Sequence, residues 1–385
     1  MYVYVIMLLF SLLFILLAEK SNNNKVKKIW TLLSVVPFIL VSALRYDVGT
    51  DYFYRYVPDY NKIANGGSVD NLEIGFKLLV NLCILITKDY QIIFVVTSVV
   101  IMTLFMYTIQ RQSKNKALSV TIFLLGGFFF QSLNILRQYM AIAIVFFSYR
   151  YLLKDKYSVF IISVILAFFI HNASMVCLVM LLLKDKDVFN IKTILIVALT
   201  IFIFGTPLIN LFKTVVQNTR FSVYIDSLYD RGEMRKLTIL SNAIIYTFMY
   251  SLYIVRKKKS KITKEDIFYI NMQGLTLICI MLSSKFYLFF RIAYYFMVYQ
   301  IISIPYFIKT IKIEDIYIYY VKDIMKEKII IKSEVLKKLP IILNVFIILY
   351  FSVILSYTNI LNNDEEVLPY KTIINTERTD VIKNN

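Results

Sequence analysis

Long apolar runs separated by short polar segments make up most of the chain, beginning with MYVYVIMLLFSLLFILLAEK at residues 1–20. About 20 apolar residues are enough for a helix to cross the hydrocarbon core of a bilayer. Because each spanning backbone must satisfy its own hydrogen bonds, the pattern predicts an all-α, polytopic integral membrane protein with about 11–13 hydrophobic segments. The first run lacks a basic leader and has a poor cleavage pattern, so we expect a retained helix.

Two stretches do not fit one full span each. The weaker stretch 72–87 is short and contains Glu73 and Lys77, and we interpret it as a re-entrant or interfacial segment. The run 159–183 is too long for one span and is interrupted by HNAS, so it predicts two helices that meet near the outer face. No internal repeat is visible, which removes support for an inverted-repeat transporter.

Basic residues orient these helices, because cytoplasmic loops carry an excess of lysine and arginine. The segments EKSNNNKVKK after the first run and RKKKSKITK at 256–264 are strongly basic. We therefore predict a single polytopic domain over residues 1–385 with extracytoplasmic N- and C-termini. Its outer loops cover 45–72 and 211–238, a cytoplasmic basic segment covers 309–340, and an outer tail covers 358–385.

Composition narrows the function. The net charge of +18 would indicate nucleic acid in a soluble protein, but 59% hydrophobic residues make lysine-rich loops the better explanation, with membrane lipid as the surroundings. The three cysteines, Cys83, Cys177 and Cys279, lie far apart inside apolar runs, so neither a disulfide nor a metal site is expected. No Walker motif or paired glycine-rich fingerprint occurs, and we expect no cofactor.

Lysine and arginine divide differently between the two predicted faces. The predicted topology places 27 of the 43 basic residues inside, with 24 of 32 lysines inside but 8 of 11 arginines outside. Topology needs only positive charge, whereas arginine adds a planar fork of donors suited to carboxylate and phosphate. The outward arginines therefore indicate a site for an anionic ligand on the outer face; chance, together with lysine enrichment, is the alternative.

The first outer cluster lies in ALRYDVGTDYFYRY at 43–56 and contains Arg45, Asp47, Asp51 and Arg55. Gly49 permits a tight turn, so that Asp51 can point back at the site. The structural alternative is that these arginines and aspartates pair with each other and cap a helix end.

Two further clusters interrupt apolar runs. NILRQYMAIA contains Arg137 and Gln138, and an arginine close to a spanning segment is costly unless it is functional or reaches the headgroups. AFFIHNAS contains His171, the only histidine of the chain. A lone histidine is often structural; here a general base or a hydrogen-bond donor to sugar or phosphate is the functional reading.

The fourth cluster, SSKFYLFFRIAYYF, contains Lys285 and Arg291 among tyrosines that also match an interfacial aromatic belt. The outer loop at 211–238 is a candidate lid. It contributes basic and aromatic residues, namely Arg220, Arg231 and Arg235 with Tyr224 and Tyr229.

Five stretches together resemble a known family. ALRYDVGTDYFYRY, NLEIGFKLL, the segment from NILRQYMAIA to HNAS, FRIAYYF and VLPYK resemble, in this order, the EpsG family of Wzy-like proteins of exopolysaccharide, capsule and O-antigen assembly. The lysine-rich segment 309–340 is longer and more charged than expected for that family. The most specific parts of the resemblance are Arg45, Gly49 and Asp51, then Arg137 and Gln138, then His171.

The resemblance implies a glycosyltransferase that polymerises repeat units carried on undecaprenyl diphosphate, at the outer face of the cytoplasmic membrane. Outward arginines suit the diphosphate leaving group. We expect Arg137 and Arg291 to bind it, with Arg45 assisting and with Gly49 and Gln138 also at the substrate. Asp51 or His171 is expected to serve the acceptor hydroxyl as a base. A chain-length regulator and a flippase of the same pathway are the implied protein partners.

Three alternatives remain open at this point. A flippase for the same lipid-linked units also needs arginines, but it should line a path through the membrane with polar groups. A ligase related to O-antigen ligases would share the chemistry and differ in its acceptor. A non-enzymatic scaffold would leave the charge clusters without a role.

Overall fold

The computed structural model describes residues 1–70, 72–218, 222, 225, 236–258, 262–310, 333–374 and 376. Helices dominate these residues, and they form no β-sheet. The chain divides into two compact units. The first consists of Met1–Tyr151, Ser158–Met175 and Pro340–Asn385, and the second of Leu152–Tyr157 and Val176–Leu339.

Seventeen α-helices are described, together with two π-helical turns and one 3₁₀ segment. Their bounds are α1 Tyr2–Lys20, α2 Asn24–Leu33, α3 Val36–Ala43, a π-helical turn Tyr52–Tyr56, α4 Val57–Ala64, α5 Ile74–Ile86, α6 Gln91–Gln112, α7 Lys116–Leu125, α8 Phe128–Asn134, α9 Leu136–Leu153, α10 Tyr157–Ile170, a 3₁₀ segment Asn172–Leu178, α11 Val179–Leu183, α12 Ile191–Val216, α13 Lys236–Lys258, α14 Lys264–Ser283, α15 Leu288–Met297, α16 Gln300–Thr310, α17 Ser333–Leu355 and a π-helical turn Ser356–Leu361.

Seven helical stretches in the described residues are long and apolar enough to cross a membrane, and two bent pairs, α7 with α8 and α15 with α16, raise this number to nine. Three shorter apolar helices accompany them, so the described residues contain twelve apolar elements. The prediction of an all-α polytopic membrane protein is confirmed. The orientation of the termini stays a prediction.

The stretches 72–87 and 159–183, which do not fit one full span each, form short helices, as their sequences indicate. α5 has 13 residues, which rise only about 20 Å, less than the hydrocarbon core of about 30 Å. The run 159–183 breaks at His171, between α10 and the 3₁₀ segment. The predicted interruption at HNAS is confirmed, and its side of the membrane stays a prediction.

α9 is largely enclosed by protein, although it is not one of the seven candidate spans. Most of its side chains are buried, including the polar Gln138 and Ser148, whereas Arg137 and Arg150 near its ends are half-buried. A helix that contacts protein on all sides does not need an apolar lipid-facing surface. This burial explains how α9 tolerates two arginines, one near each of its ends.

Arg45 is among the largest fully buried side chains of the described residues, with 0% exposure. Its two terminal nitrogens donate to backbone oxygens, Nη1 to Ser42 at 3.0 Å and Nη2 to Leu133 at 2.9 Å. The guanidinium carbon lies 4.8 Å from the centre of the Phe94 ring and 6.0 Å from that of Tyr52. Among the described ion pairs, none joins Arg45 to a carboxylate. Carbonyls and aromatic faces therefore replace water around this cation.

The rest of the opening motif encloses that cation. Tyr52 stacks on Phe94 with ring centres 4.2 Å apart, and its hydroxyl donates to Gln91 Oε1 at 2.9 Å. Gln91 Nε2 donates to the backbone oxygens of Ala43 and Arg45 at 2.7 and 3.1 Å. Burial lowers the pKa of Arg45 to about 10, so the guanidinium stays charged at neutral pH.

The C-terminal tail returns to the same motif. An isolated antiparallel bridge joins Arg45 to Thr372, and the Tyr46 amide donates to the Lys371 oxygen at 3.0 Å. The Lys371 ammonium lies 3.0 Å from the Asp47 carboxylate. The predicted outer loop and the predicted outer tail therefore contact each other within the first unit.

Side chains fasten the tail to the helices as well. The hydroxyl of Tyr4 in α1 donates to the Val367 oxygen at 2.9 Å, and the hydroxyl of Tyr370 donates to the Val41 oxygen in α3 at 2.8 Å. Both bonds join residues more than 300 positions apart in sequence. The tail thus closes the first unit by linking its two chain ends.

Gly49 occupies the tightest place in this arrangement. Its φ of +100° is a conformation that side chains disfavour, and its amide donates to the Glu366 oxygen at 3.0 Å. A Cβ at this position would lie 2.3 Å from Asn134 Oδ1. Asn134 in turn donates through Nδ2 to the backbone oxygen and the carboxylate of Glu365.

Buried polar groups connect the helices of the second unit. Gln300 Nε2 donates to Asn242 Oδ1 at 2.8 Å and to Gln273 Oε1 at 2.9 Å. Arg256 Nε lies 2.8 Å from Asp266 Oδ1, and the Asp266 side chain is fully buried. Such bonds favour one arrangement of apolar helices, since an unpaired polar group in an apolar interior is costly.

We expect Gly49→Ala to destabilise the protein by about 3 kcal/mol, because a strained φ and a forced contact with Asn134 add together. Gly66→Ala is the matched control, since Gly66 has a φ of +83° but nothing within 4 Å of an added Cβ. It should cost about 1 kcal/mol. Thermal unfolding of the purified variants in detergent measures both, and equal losses would contradict the role given to the Asn134 contact.

Termination after Leu361 should also destabilise the first unit, because it removes every tail contact to α1, α3 and the opening motif. Each hydrogen bond lost is expected to cost on the order of 1 kcal/mol. Termination after Thr376 is the control, since it leaves all of the described tail contacts in place. Monodispersity on gel filtration and the unfolding temperature report the difference; a stable, monodisperse chain ending at Leu361 would refute this role of the tail.

Candidate functional site

Arg137 lies at the start of α9, directly after the break that separates this helix from α8. Its Nη1 donates to Glu73 Oε2 at 2.5 Å, and the two side chains are 12% and 11% exposed. The guanidinium carbon also lies 6.0 Å from the centre of the buried Phe76 ring. A charge-assisted bond therefore fixes this arginine in a nearly enclosed position.

Glu73 connects Arg137 to the HNAS break. Its second carboxylate oxygen, Oε1, accepts a hydrogen bond from Asn172 Nδ2 at 3.4 Å. The close approach of α5 to the end of α10 depends on Gly75, because a Cβ at this position would lie 2.7 Å from the Phe169 backbone oxygen. His171 stands directly before Asn172 and is half-buried. The start of α5 and the end of α10 thus bring Glu73 and the HNAS residues together.

Charged residues of the opening motif also act on titratable groups near Arg137. Burial and the Asp51 carboxylate raise the pKa of Tyr56 to about 12, whereas Arg137 and Arg55 oppose that rise. Burial also raises the pKa of Asp59, against the opposing charges of Arg55, Arg137 and Lys62. Arg55 Nε lies 3.8 Å from Asp59 Oδ2. Arg137 therefore lies close enough to Tyr56 and Asp59 for its charge to act on both groups.

We use the term Arg137 cluster for Glu73, Arg137 and Asn172, which hydrogen bonds connect, together with the pair of Arg55 and Asp59, on which Arg137 acts through its charge. Three of the four predicted clusters contribute to the surroundings of Arg137, and all of them lie in the first unit. Asp51 precedes the π-helical turn and acts on Tyr56, and Gln138 is buried beside Arg137. The site for an anionic ligand that the outward arginines indicate stays a prediction, and the Arg137 cluster is the candidate for it.

Two predicted substrate-binding residues have other surroundings. Arg45 is enclosed by carbonyls and rings, which assigns it to the folding of the motif in this structure. Gly49 provides the expected tight turn and packs against Asn134. The structural alternative is that arginine and aspartate pair and cap a helix end; the described ion pairs include none between Arg45 and Asp47, and Asp47 pairs with Lys371.

The remaining predicted residues belong elsewhere. Arg291 lies in α15, in the second unit, and is half-buried. Most of the candidate lid, with its residues Arg220, Tyr224, Tyr229, Arg231 and Arg235, lies outside the described residues, as does most of the basic segment 309–340.

Glu73 was the principal residue that the sequence did not identify as part of the site. It appeared as a reason to reject 72–87 as a full span, although an acidic residue in an apolar stretch is itself a functional signal. Asp59 and Asn172 gave weaker signals, because single polar residues next to a helix end are common. Their shared position could not be read from spacing along the chain.

The Arg137 cluster can hold an anion and exchange protons. The arginine fork can donate two parallel bonds to phosphate, and carboxylate and imidazole groups within the same region can accept a proton. In the described part of the chain, no group of three or more His, Cys, Asp and Glu side chains is arranged to hold a metal ion.

Comparison with known proteins agrees with the pattern of motifs. Neither the curated proteins nor the solved structures include a match to this chain. The model of the EpsG family matches residues 28–324, a range that contains the opening motif, the Arg137 cluster, His171 and Arg291. Since this match covers well over half of the sequence, the chain belongs to the EpsG family.

Proposed function

We propose that this protein is a polymerase of surface-polysaccharide repeat units, acting at the outer face of the cytoplasmic membrane. Membership of the EpsG family supports a Wzy-like polymerase in general. The substrate would be an oligosaccharide linked to undecaprenyl diphosphate. The observation that carries the proposal is the Arg137 cluster, where a nearly enclosed arginine fork is held beside carboxylates and a histidine-bearing helix break.

Arg137 is the proposed diphosphate ligand. In the structure its fork is occupied by the Glu73 carboxylate, which has the planar pair of oxygens that a phosphate also offers. The start of α9 adds backbone N–H groups at the positive end of the helix dipole. A phosphate that displaces Glu73 would therefore meet donors that are already oriented. Arg291 of the second unit is proposed as a further diphosphate ligand, from the sequence alone.

The acceptor sugar hydroxyl would attack the anomeric carbon of the growing chain. A new glycosidic C–O bond forms, the bond from that carbon to the diphosphate oxygen breaks, and its electron pair leaves with the lipid diphosphate. The hydroxyl proton passes to a base. His171 and Asp51 are the proposed bases, and Glu73 joins them, because displacement from Arg137 would leave its carboxylate without that cation.

Two other functions use similar chemistry. A flippase should carry polar groups along a path through the membrane, whereas Arg137 and Glu73 pair with each other at the starts of α9 and α5. A ligase would use the same donor with a different acceptor, so its product distinguishes it. A flippase of the same pathway would deliver the lipid-linked units, and a chain-length regulator would act on the product.

Arg137→Gln should reduce chain growth about 10²–10³-fold, the usual cost of one lost oxyanion donor. Arg137→Lys keeps the charge but loses the fork, so we expect a smaller but clear loss. Lys77→Gln is the control, since it removes a positive charge from an exposed position on α5. The assay is the length of surface polysaccharide in a deletion strain complemented with each variant, at matched membrane levels.

The saccharide products that accumulate distinguish a polymerase from a ligase and from a flippase. Single repeat units on the lipid carrier should accumulate when Arg137 is replaced. Long lipid-linked polymer would point to a ligase, and loss of all outward-facing units would point to a flippase. Full-length polysaccharide from Arg137→Gln would remove this residue from the site.

Replacing the proposed bases should affect turnover rather than donor binding. We expect His171→Gln or Asp51→Asn to lower the polymerisation rate about 10²–10⁴-fold, with retention of the lipid-linked donor unchanged. Glu73→Gln, in contrast, should also change donor retention, because Glu73 holds Arg137. Initial rates and bound donor are measured on purified protein. If both His171→Gln and Asp51→Asn keep the wild-type rate, neither residue is the base.

A further inference from the structure

The three arginines that the charge count leaves on the inner side differ in their partners. Arg256 forms a buried ion pair with Asp266. Arg111 and Arg150 form no ion pair within the described residues. Lysine would satisfy the topology equally well at both positions. These two arginines therefore require a separate explanation.

Arg111 and Arg150 converge on one tyrosine. Their guanidinium carbons lie 5.5 and 5.2 Å from the centre of the Tyr107 ring. Arg150 also lies 4.6 Å from the centres of the Phe147 and Tyr151 rings, and its Nη2 donates to the Tyr151 hydroxyl at 2.7 Å. Arg150 Nη1 reaches the Tyr107 hydroxyl at 3.5 Å. The ends of α6 and α9 thus form an aromatic box with two cations.

Two guanidinium groups that lie beside the same ring repel each other. An anion between them would offset this repulsion. The negative ends of the α6 and α9 dipoles favour a cation at each helix end, by about 0.3–1 kcal/mol. That effect would be satisfied with the two charges apart, so it does not explain their convergence. The Nε of Arg150 is buried and has no hydrogen-bond partner among the described residues, and none of the described ion pairs brings a carboxylate to this guanidinium.

We propose that Arg111 and Arg150, with the hydroxyls of Tyr107 and Tyr151, bind a phosphate group, and that its source is the headgroup of an anionic membrane lipid. Two arginine forks can hold the non-bridging oxygens, and tyrosine hydroxyls can donate to the remaining lone pairs. This site lies in the first unit and does not depend on the proposed polymerase activity.

The surface of α6 favours a lipid over free phosphate. Val99, Thr103, Tyr107 and Arg111 are exposed at a spacing of four residues, so they form one stripe along a helix that is apolar enough to span a membrane. Such a stripe faces acyl chains. Arg111 ends it in the last turn, where headgroups lie and where tyrosines are enriched in membrane proteins. Anionic headgroups attract basic residues at that depth.

The test measures lipid binding to the purified full chain by native mass spectrometry. Phosphatidylglycerol, phosphatidylcholine and inorganic phosphate are added separately to protein stripped of lipid. We expect one tightly held phosphatidylglycerol, and weaker binding of the other two. Arg111→Gln with Arg150→Gln should weaken phosphatidylglycerol binding about 30-fold, which corresponds to about 2 kcal/mol.

Two matched double variants distinguish a specific phosphate-binding site from general electrostatic attraction to anionic lipid. Arg111→Lys with Arg150→Lys keeps the charge and loses the forks, so phosphatidylglycerol binding should still weaken clearly. Lys20→Gln with Lys114→Gln removes the same charge from exposed positions on the same predicted side and should keep the tightly held lipid. If Arg111→Lys with Arg150→Lys binds phosphatidylglycerol as tightly as the wild type, positive charge alone explains the binding. That result would overturn the proposed site. Inorganic phosphate binding as tightly as phosphatidylglycerol would overturn the lipid as its source.

Discussion

A fully buried guanidinium is the constraint on which the first unit depends. Enclosing an ion costs several kcal/mol unless its hydrogen bonds and charge are compensated. Arg45 meets this demand with two backbone oxygens and two aromatic faces rather than with a carboxylate. One of these oxygens is on Leu133, at the end of α8. The position of the cation therefore fixes where two helices that are distant in sequence must end.

The positions of several further helix ends follow from the position of the Arg45 guanidinium. Next to Leu133, Asn134 packs against Gly49 and bonds Glu365 of the tail. Three residues later, Arg137 begins α9 and reaches Glu73 at the start of α5. Breaks in apolar helices leave backbone groups unsatisfied, and such breaks are tolerated where protein covers them. The tail covers the end of α8 through Asn134, and Glu73 at the start of α5 bonds both Arg137 and the HNAS break.

The sequence predicted the helices and their interruptions well, because hydrophobic patterning and breaks such as HNAS are local properties. It also indicated that Arg137 has a special environment, since a charge beside an apolar run is costly wherever it lies. The enclosure of Arg45 was not predictable, because its partners come from Leu133 and Phe94. The return of the tail was equally hidden, since Tyr4 and Val367 are 363 positions apart.

The pairing of Glu73 with Arg137 also constrains how the cluster could act. A carboxylate in the fork keeps Arg137 in one geometry before any ligand arrives, so binding would require exchange rather than assembly. A diphosphate carries more charge than a carboxylate and offers more acceptor oxygens, so the exchange favours it. The displaced Glu73 carboxylate would then have lost its cation and would lie beside the HNAS break, which carries His171 and Asn172. In this way the group that holds the arginine in the free protein would be released only once the donor is bound.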